Sequence, residues 1–146
     1  MPRRSTWGIT PRDSIAAECA LRGKAAVAGD CIALLAGRPP DPELLRALAG
    51  PGTSKFFDGG EHVDTYWYRV WALRGLLWNW DDRATEAVCA ALEDDHWRVR
   101  EMAAKVAAKH LVGEASVSLA ALRDDSVPRV RGAAERALAR LSEADA

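Results

Sequence analysis

Three stretches of this chain fall into register: DTYWYRVWALRGLLWNW at 64–80, DHWRVREMAAKVAAKHL at 95–111 and SVPRVRGAAERALARLS at 126–142. Their first residues, Asp64, Asp95 and Ser126, lie 31 apart each time, and all three are residue types that cap helix N-termini. The columns behind them agree. Tyr68, Val99 and Val130 align, followed by Arg69, Arg100 and Arg131, then Ala72, Ala103 and Ala134, then Leu76, Ala107 and Leu138. A fixed period of this length is the signature of stacked structural repeats.

The segments between keep the same step. Asp82 to Gly113 is again 31, whereas Asp41 to Asp82 is 41, so the first repeat carries about ten extra residues, which fall at 50–63. Helix punctuation is plain along the rest of the chain. TPRD can cap a helix from about Pro11 to Arg22, and a second helix runs on until Gly37 and the following prolines stop it. Asp41 is placed as an N-cap with Pro42 at the first helical position, where its missing N–H costs nothing. Further helices are expected at about 83–93, 96–110, 114–123 and 127–142. Strand-like alternation is nearly absent.

These features predict a single domain over 1–146. Residues 11–36 form an irregular capping pair, 41–80, 81–112 and 113–142 form helix–turn–helix repeats, and 50–63 is an inserted loop. DDHWRVREMAAKVA and DDSVPRVRGAAERALA resemble HEAT repeats of the short kind first noted in phycobilin lyases, with an aspartate turn, then Val-Arg, then an alanine-rich helix. The resemblance covers 81–141 best. It implies an all-α fold, a right-handed α-solenoid of about four repeats, and a surface that binds other macromolecules. One helix pair cannot bury its own apolar stripe, so neighbours must stack on it. Ala103, Ala107, Ala134 and Ala137 suit close helix approach. Arg100 and Arg131 sit one turn inside helix N-termini, an unfavourable place for a cation unless it is paired. The aspartates of the same or the next turn are the expected partners, with Asp95, Arg100, Asp125 and Arg131 forming a structural ladder.

The bulk numbers exclude more than they identify. The chain has 146 residues, 49% of them hydrophobic and 28% charged, with a net charge of -1. That is a globular balance with no overall pull toward polyanions. No run reaches the roughly 20 apolar residues of a membrane span. The basic N-terminal stretch has no apolar segment behind it, so no signal peptide is expected and the cytoplasm is the default location. Cys19, Cys31 and Cys89 are widely spaced and read as small buried side chains rather than a disulfide or zinc framework. His62, His96 and His110 make no close metal pair, and no phosphate-loop or nucleophile motif occurs. No cofactor and no catalysis are expected.

The remaining signal is a segregation of charge and aromatics. Four of the six tryptophans lie within 66–80. Column comparison places Trp71 with Met102, in the core. It places Trp67 with Arg98 and Arg129, and Trp78 with Lys109 and Arg140. Arg74, Lys105 and Arg136 fill the column between. The second helices thus carry one basic ridge flanked by indoles, expected on the concave face. Turns and first helices carry the acids. The opposite face is polar or small in the last two repeats (Glu101, Gly132, Ala104, Glu135) but apolar in the first (Val70, Leu73, Leu77). Something must cover it there, either the chain itself or a partner.

The ridge suits a protein partner with an acidic surface, and the chain reads as a non-enzymatic adaptor. Nucleic acid is the alternative partner for the same ridge. A third reading comes from DNA glycosylases for alkylated purines, some of which have a HEAT-like fold with a catalytic aspartate. Here the candidate would be Asp81, in a DDRA turn better explained by helix capping.

Overall fold

The computed structural model describes residues 10–39, 41–49 and 65–145, all helices and short connections. The expected inserted loop at 50–63 and the Asp64 cap lie outside the described residues. Among the described residues eight α-helices follow one another: α1 (Pro11–Arg22), α2 (Lys24–Leu35), α3 (Pro42–Ala49), α4 (Tyr66–Trp78), α5 (Thr85–Ala91), α6 (Trp97–Lys109), α7 (Ser116–Leu122) and α8 (Pro128–Ala144). Single 3-10 turns at Asp82–Ala84 and Gly113–Ala115 lead into α5 and α7.

Helices α2, α4, α6 and α8 stack side by side in one layer, each touching the next. The partners α1, α3, α5 and α7 pack against them pair by pair. The order is that of an all-α solenoid, and it explains why no element could fold alone. The core is continuous along the stack, from Ile15 and Val27 through Leu73 and Leu76 to Val99, Val106, Val130 and Ala137. Alanine is what lets this layer close up: Ala103, Ala107, Ala134 and Ala137 are all fully enclosed.

The capping chemistry follows the reading at two ends and corrects it at two others. Thr10 Oγ1 accepts from Asp13 N at 3.2 Å, and Asp41 Oδ1 accepts from Glu43 N at 3.1 Å. For α6, however, the cap is not Asp95. His96 is the N-cap, its Nδ1 accepting from Arg98 N at 3.2 Å, and Asp94 Oδ1 accepts from His96 N at 2.9 Å. Likewise Asp125, not Ser126, accepts from Val127 N at 2.9 Å ahead of Pro128. Each helix begins one residue later than the alignment assumed, with His96 and Val127 at the N-cap positions. The second aspartate or serine faces water because the first one is needed elsewhere.

That need is the ladder. Arg69 donates from Nε and Nη2 to both oxygens of Asp94 at 2.6 and 3.1 Å, and Arg100 does the same to Asp125 at 2.8 and 3.2 Å. Each rung spans 25 residues. Arg100 also reaches back to the carbonyl of Asp94 at 2.8 Å, and Arg131 to that of Asp125 at 2.7 Å. One arginine therefore ties the turn before its own helix to the turn of the following repeat. Burial works to raise the Asp94 and Asp125 carboxyls. The arginine and backbone hydrogen bonds outweigh it, so both fall below the ordinary range. The cation near a helix N-terminus is thereby paired. Of the expected partners of Arg100, the next-turn Asp125 holds it, whereas Asp95 supplies only its carbonyl at 3.0 Å and Asp94 takes Arg69 instead.

The expected solvation of the opposite face is also corrected. Glu101 and Ala104 are buried, because α6 is an inner helix with α4 on one side and α8 on the other. Only in α8, which lies at the edge of the described stack, do Glu135 and Ala139 reach water. The apolar face of α4 is covered by the chain itself. Val70 and Leu73 are enclosed, α2 lies on one side and α6 on the other. The approach of α2 and α3 is close enough to require a glycine. A Cβ on Gly75 would lie 2.6 Å from Cys31 Sγ and 2.7 Å from Leu48 Cδ2.

Candidate functional site

Residues 31 apart in the second helices are neighbours in space. The Arg98 guanidinium lies 5.1 Å from the Trp67 ring, and Lys109 Nζ lies 4.5 Å from the Trp78 ring. These separations are those of cation–π contacts. The period read from the sequence therefore translates into a surface on which indoles of α4 meet cations of α6.

The surface has two ends. At the N-terminal ends of α4, α6 and α8, Arg98 sits between Trp67 and Trp97, the latter at 4.6 Å, and Arg129 lies 5.0 Å from the same Trp97 ring. Arg129 is exposed, yet it is held by Glu101 through two hydrogen bonds of 2.8 and 3.0 Å. Lys105 approaches the same carboxylate at 3.9 Å. Tyr66 stacks on His96 at 3.5 Å and extends the aromatic cluster. Eleven residues further along α4, roughly 16 Å at the helical rise, the other end holds Trp78. It is 39% exposed and flanked by Lys109 and, at 5.8 Å, by Arg12 of α1. Arg136 and Arg140 are exposed on α8.

Arg74 stands apart from this row. It is half-buried and donates to the Leu48 carbonyl at 3.4 Å, and desolvation lowers its pKa. Trp71 is buried, as its column predicts. Trp97, His96 and Glu101 were not singled out by the sequence reading. Trp97 aligns with Tyr66 and Pro128, so its column announces no ridge. Glu101 aligns with Val70 and Gly132, which hides its role as a buried counter-ion. The signal available was local: Trp97 immediately precedes Arg98.

Pairing separates the cations. Arg22, Arg69, Arg83, Arg100 and Arg129 each meet a carboxylate. Among the described residues, Arg98, Lys109, Arg136 and Arg140 have none within ion-pair distance, and neither do Arg12, Arg38, Arg74, Arg123 and Arg131.

A family model described as HEAT repeats matches residues 62–139. The chain belongs to the HEAT-repeat family. No curated protein and no solved structure matches it. HEAT repeats generally act as scaffolds for protein–protein interaction, and the stacked layer gives this HEAT-repeat chain a continuous side-chain surface for such a role.

Other features of the HEAT stack are accounted for structurally. Asp81 Oδ1 accepts from Arg83 N at 2.9 Å and caps the turn into α5. Its hydrogen bonds from Arg83 hold its carboxyl below the usual range. Burial pushes the Cys31 thiol up to about 12, far from a nucleophile's range. A cleft of about 360 Å³ between α1, α2 and α3 contains Arg22, but that arginine is already shared by Asp30, by Asp41 at 3.2 Å and by Glu18 at 3.6 Å. Among the described residues no group of three or more His, Cys, Asp or Glu is placed to hold a metal ion, and no helix is long and apolar enough to cross a membrane.

Proposed function

We propose that this HEAT-repeat chain is a non-enzymatic adaptor that docks an acidic protein surface on its second-helix ridge. The contact set is Trp67, Trp78, Arg98, Lys105, Lys109, Arg129, Arg136 and Arg140, with Arg74 at its edge. One observation carries the reading. Among the described residues Arg98 and Lys109 have no carboxylate within ion-pair distance and lie against the rings of Trp67, Trp97 and Trp78, while Arg136 and Arg140 are exposed and likewise unmatched on α8. Arginine and tryptophan are the usual anchors of protein interfaces, and the row supports electrostatic steering of an anionic partner.

Nucleic acid is the rival for the same cations. Glu101 counts against it, because a carboxylate bonded to Arg129 and close to Lys105 interrupts what would be a continuous phosphate track. The test is affinity capture from nuclease-treated lysate with the wild type and with K109E/R136E/R140E, read by mass spectrometry. Proteins with acidic surfaces should be retained by the wild type and lost by the variant. Identical protein sets from both would overturn the ridge assignment. A purified partner whose binding falls with salt at about -0.9 log units per contact would point to duplex phosphate instead.

A further inference from the structure

We infer that Arg98 is the specificity-determining contact of this surface, its guanidinium fork taking a carboxylate side chain of an acidic peptide segment in two parallel hydrogen bonds. The inference rests on the protein-partner reading above and adds the chemistry of one contact.

Three neighbouring arginines show what the fork does in this fold. Arg69, Arg100 and Arg129 each donate from Nε and Nη2 to the two oxygens of one carboxylate. Arg98 has the same fork and a more constrained setting. Its guanidinium carbon is 5.1 Å from the Trp67 ring centroid and 4.6 Å from that of Trp97. Trp67 is itself stacked on Trp71 at 6.1 Å, and Trp71 is buried, so this side of the clamp is anchored in the core. The other side is anchored by Arg129, which lies over Trp97 and is bonded to buried Glu101. Yet no hydrogen bond or ion pair uses the Arg98 side chain among the described residues, and none of its nitrogens is sealed from solvent without a partner.

A guanidinium held between two indoles has already lost much of the rotamer freedom that binding would otherwise remove. Its planar fork matches a carboxylate in both spacing and charge. A lysine would keep the charge but lose both the fork and the stacking. A single carboxylate suits the site better than a phosphate backbone, because Glu101 lies in the same row.

The test uses a fluorescein-labelled octaglutamate peptide and the full chain, followed by fluorescence anisotropy. The wild type should bind, and R98K should weaken binding by about tenfold or more, while R123K, at an exposed arginine outside the contact set, should change it less than about twofold. Helical content and melting temperature of R98K are measured alongside. Titration of the unlabelled peptide into the wild type should also shift the Trp67 and Trp97 indole N–H resonances, a readout that needs no variant. If R98K binds as tightly as the wild type while K109E/R136E/R140E does not bind, the fork assignment is overturned and the ridge survives. No octaglutamate binding by the wild type overturns both. Tighter, Arg98-dependent binding of a single-stranded DNA octamer overturns the carboxylate as the recognised group.

Discussion

Gly75→Ala is a substitution whose sign depends on the packing described here. In the interior of an exposed helix, replacing glycine by alanine stabilises by about 1 kcal/mol through helix propensity alone. At position 75 the added methyl would stand 2.6 Å from Cys31 Sγ and 2.7 Å from Leu48 Cδ2. Non-bonded heavy atoms prefer about 3.5–4.0 Å, so each contact is about 1 Å too short. Cys31 and Leu48 are each 1% exposed and cannot swing into solvent. Relief therefore means moving α2 or α3 away from α4. Overpacking of this kind costs about 1–3 kcal/mol. Two simultaneous clashes place Gly75→Ala at the upper part of that range, and the helix gain offsets about 1 kcal/mol of it. The expected net loss is about 1–2 kcal/mol, read from urea unfolding midpoints at unchanged slope. Cys31→Ala removes one of the two obstructing atoms. In the double variant the two effects should fail to add by about 1 kcal/mol in the favourable direction. A Gly75→Ala protein as stable as the wild type, or more so, would refute the close approach of α2 and α3. Strict additivity with Cys31→Ala would refute the identity of the obstructing atom.

The ladder predicts that Asp125→Ala costs about 2–3 kcal/mol in chemical denaturation, since it leaves the Arg100 fork and the Val127 N–H without their acceptor. Asp95→Ala should stay within about 0.5 kcal/mol, and equal effects for the two would contradict the ladder. Trp71→Ala should lose about 3–5 kcal/mol, whereas Trp78→Ala should melt close to the wild type, as checked by thermal circular dichroism. Stability should fall in two stages as pH drops. The His96 pKa is lowered by desolvation and by Arg98, so as pH falls the unfolded chain takes up the proton first and stability declines below about pH 6.5. Asp94 and Asp125 are lowered too, so a second and larger decline begins as pH falls through about 4. His96→Asn keeps a capping acceptor and should erase only the upper stage in a series of melting temperatures against pH.

The architecture was legible because each repeat writes the same physical requirement in the same place. The 31-residue step locates α4, α6 and α8 and by itself makes Trp67–Arg98 and Trp78–Lys109 neighbours. Buried Trp71 followed from its alignment with Met102. What the columns could not show is which of two adjacent polar residues bends back. Asp94 and Asp95 differ only in direction, and that is set by Arg69 on the preceding repeat. Nor could they show the burial of Glu101, because its surroundings come from α8 and its bond from Arg129. The half-buried state of Arg74 likewise depends on the end of α3, a helix outside the regular step. Contacts within one column were readable and so was the next-turn pairing of Arg100 with Asp125, while those that depend on a side chain's direction or on an element outside the regular step were not.

The rung geometry has an implication for how such a chain can change its length. Arg69 reaches Asp94, and Arg100 reaches Asp125, across the same interval. Excising 95–125 would splice Asp94 directly to Ser126. Arg69 would then hold the turn that opens α8 as it now holds the one that opens α6. Both ends of the cut would meet the partner they were shaped for, and Trp67 would face Arg129 where it now faces Arg98. Duplication of the same span would be equally silent at its joints. Copy number in this protein is therefore free to drift by whole units, while an insertion or deletion of another length between Arg69 and Asp125 shifts a rung. The span of the docking row, and with it the length of acidic segment it can hold, would grow or shrink in the same discrete steps.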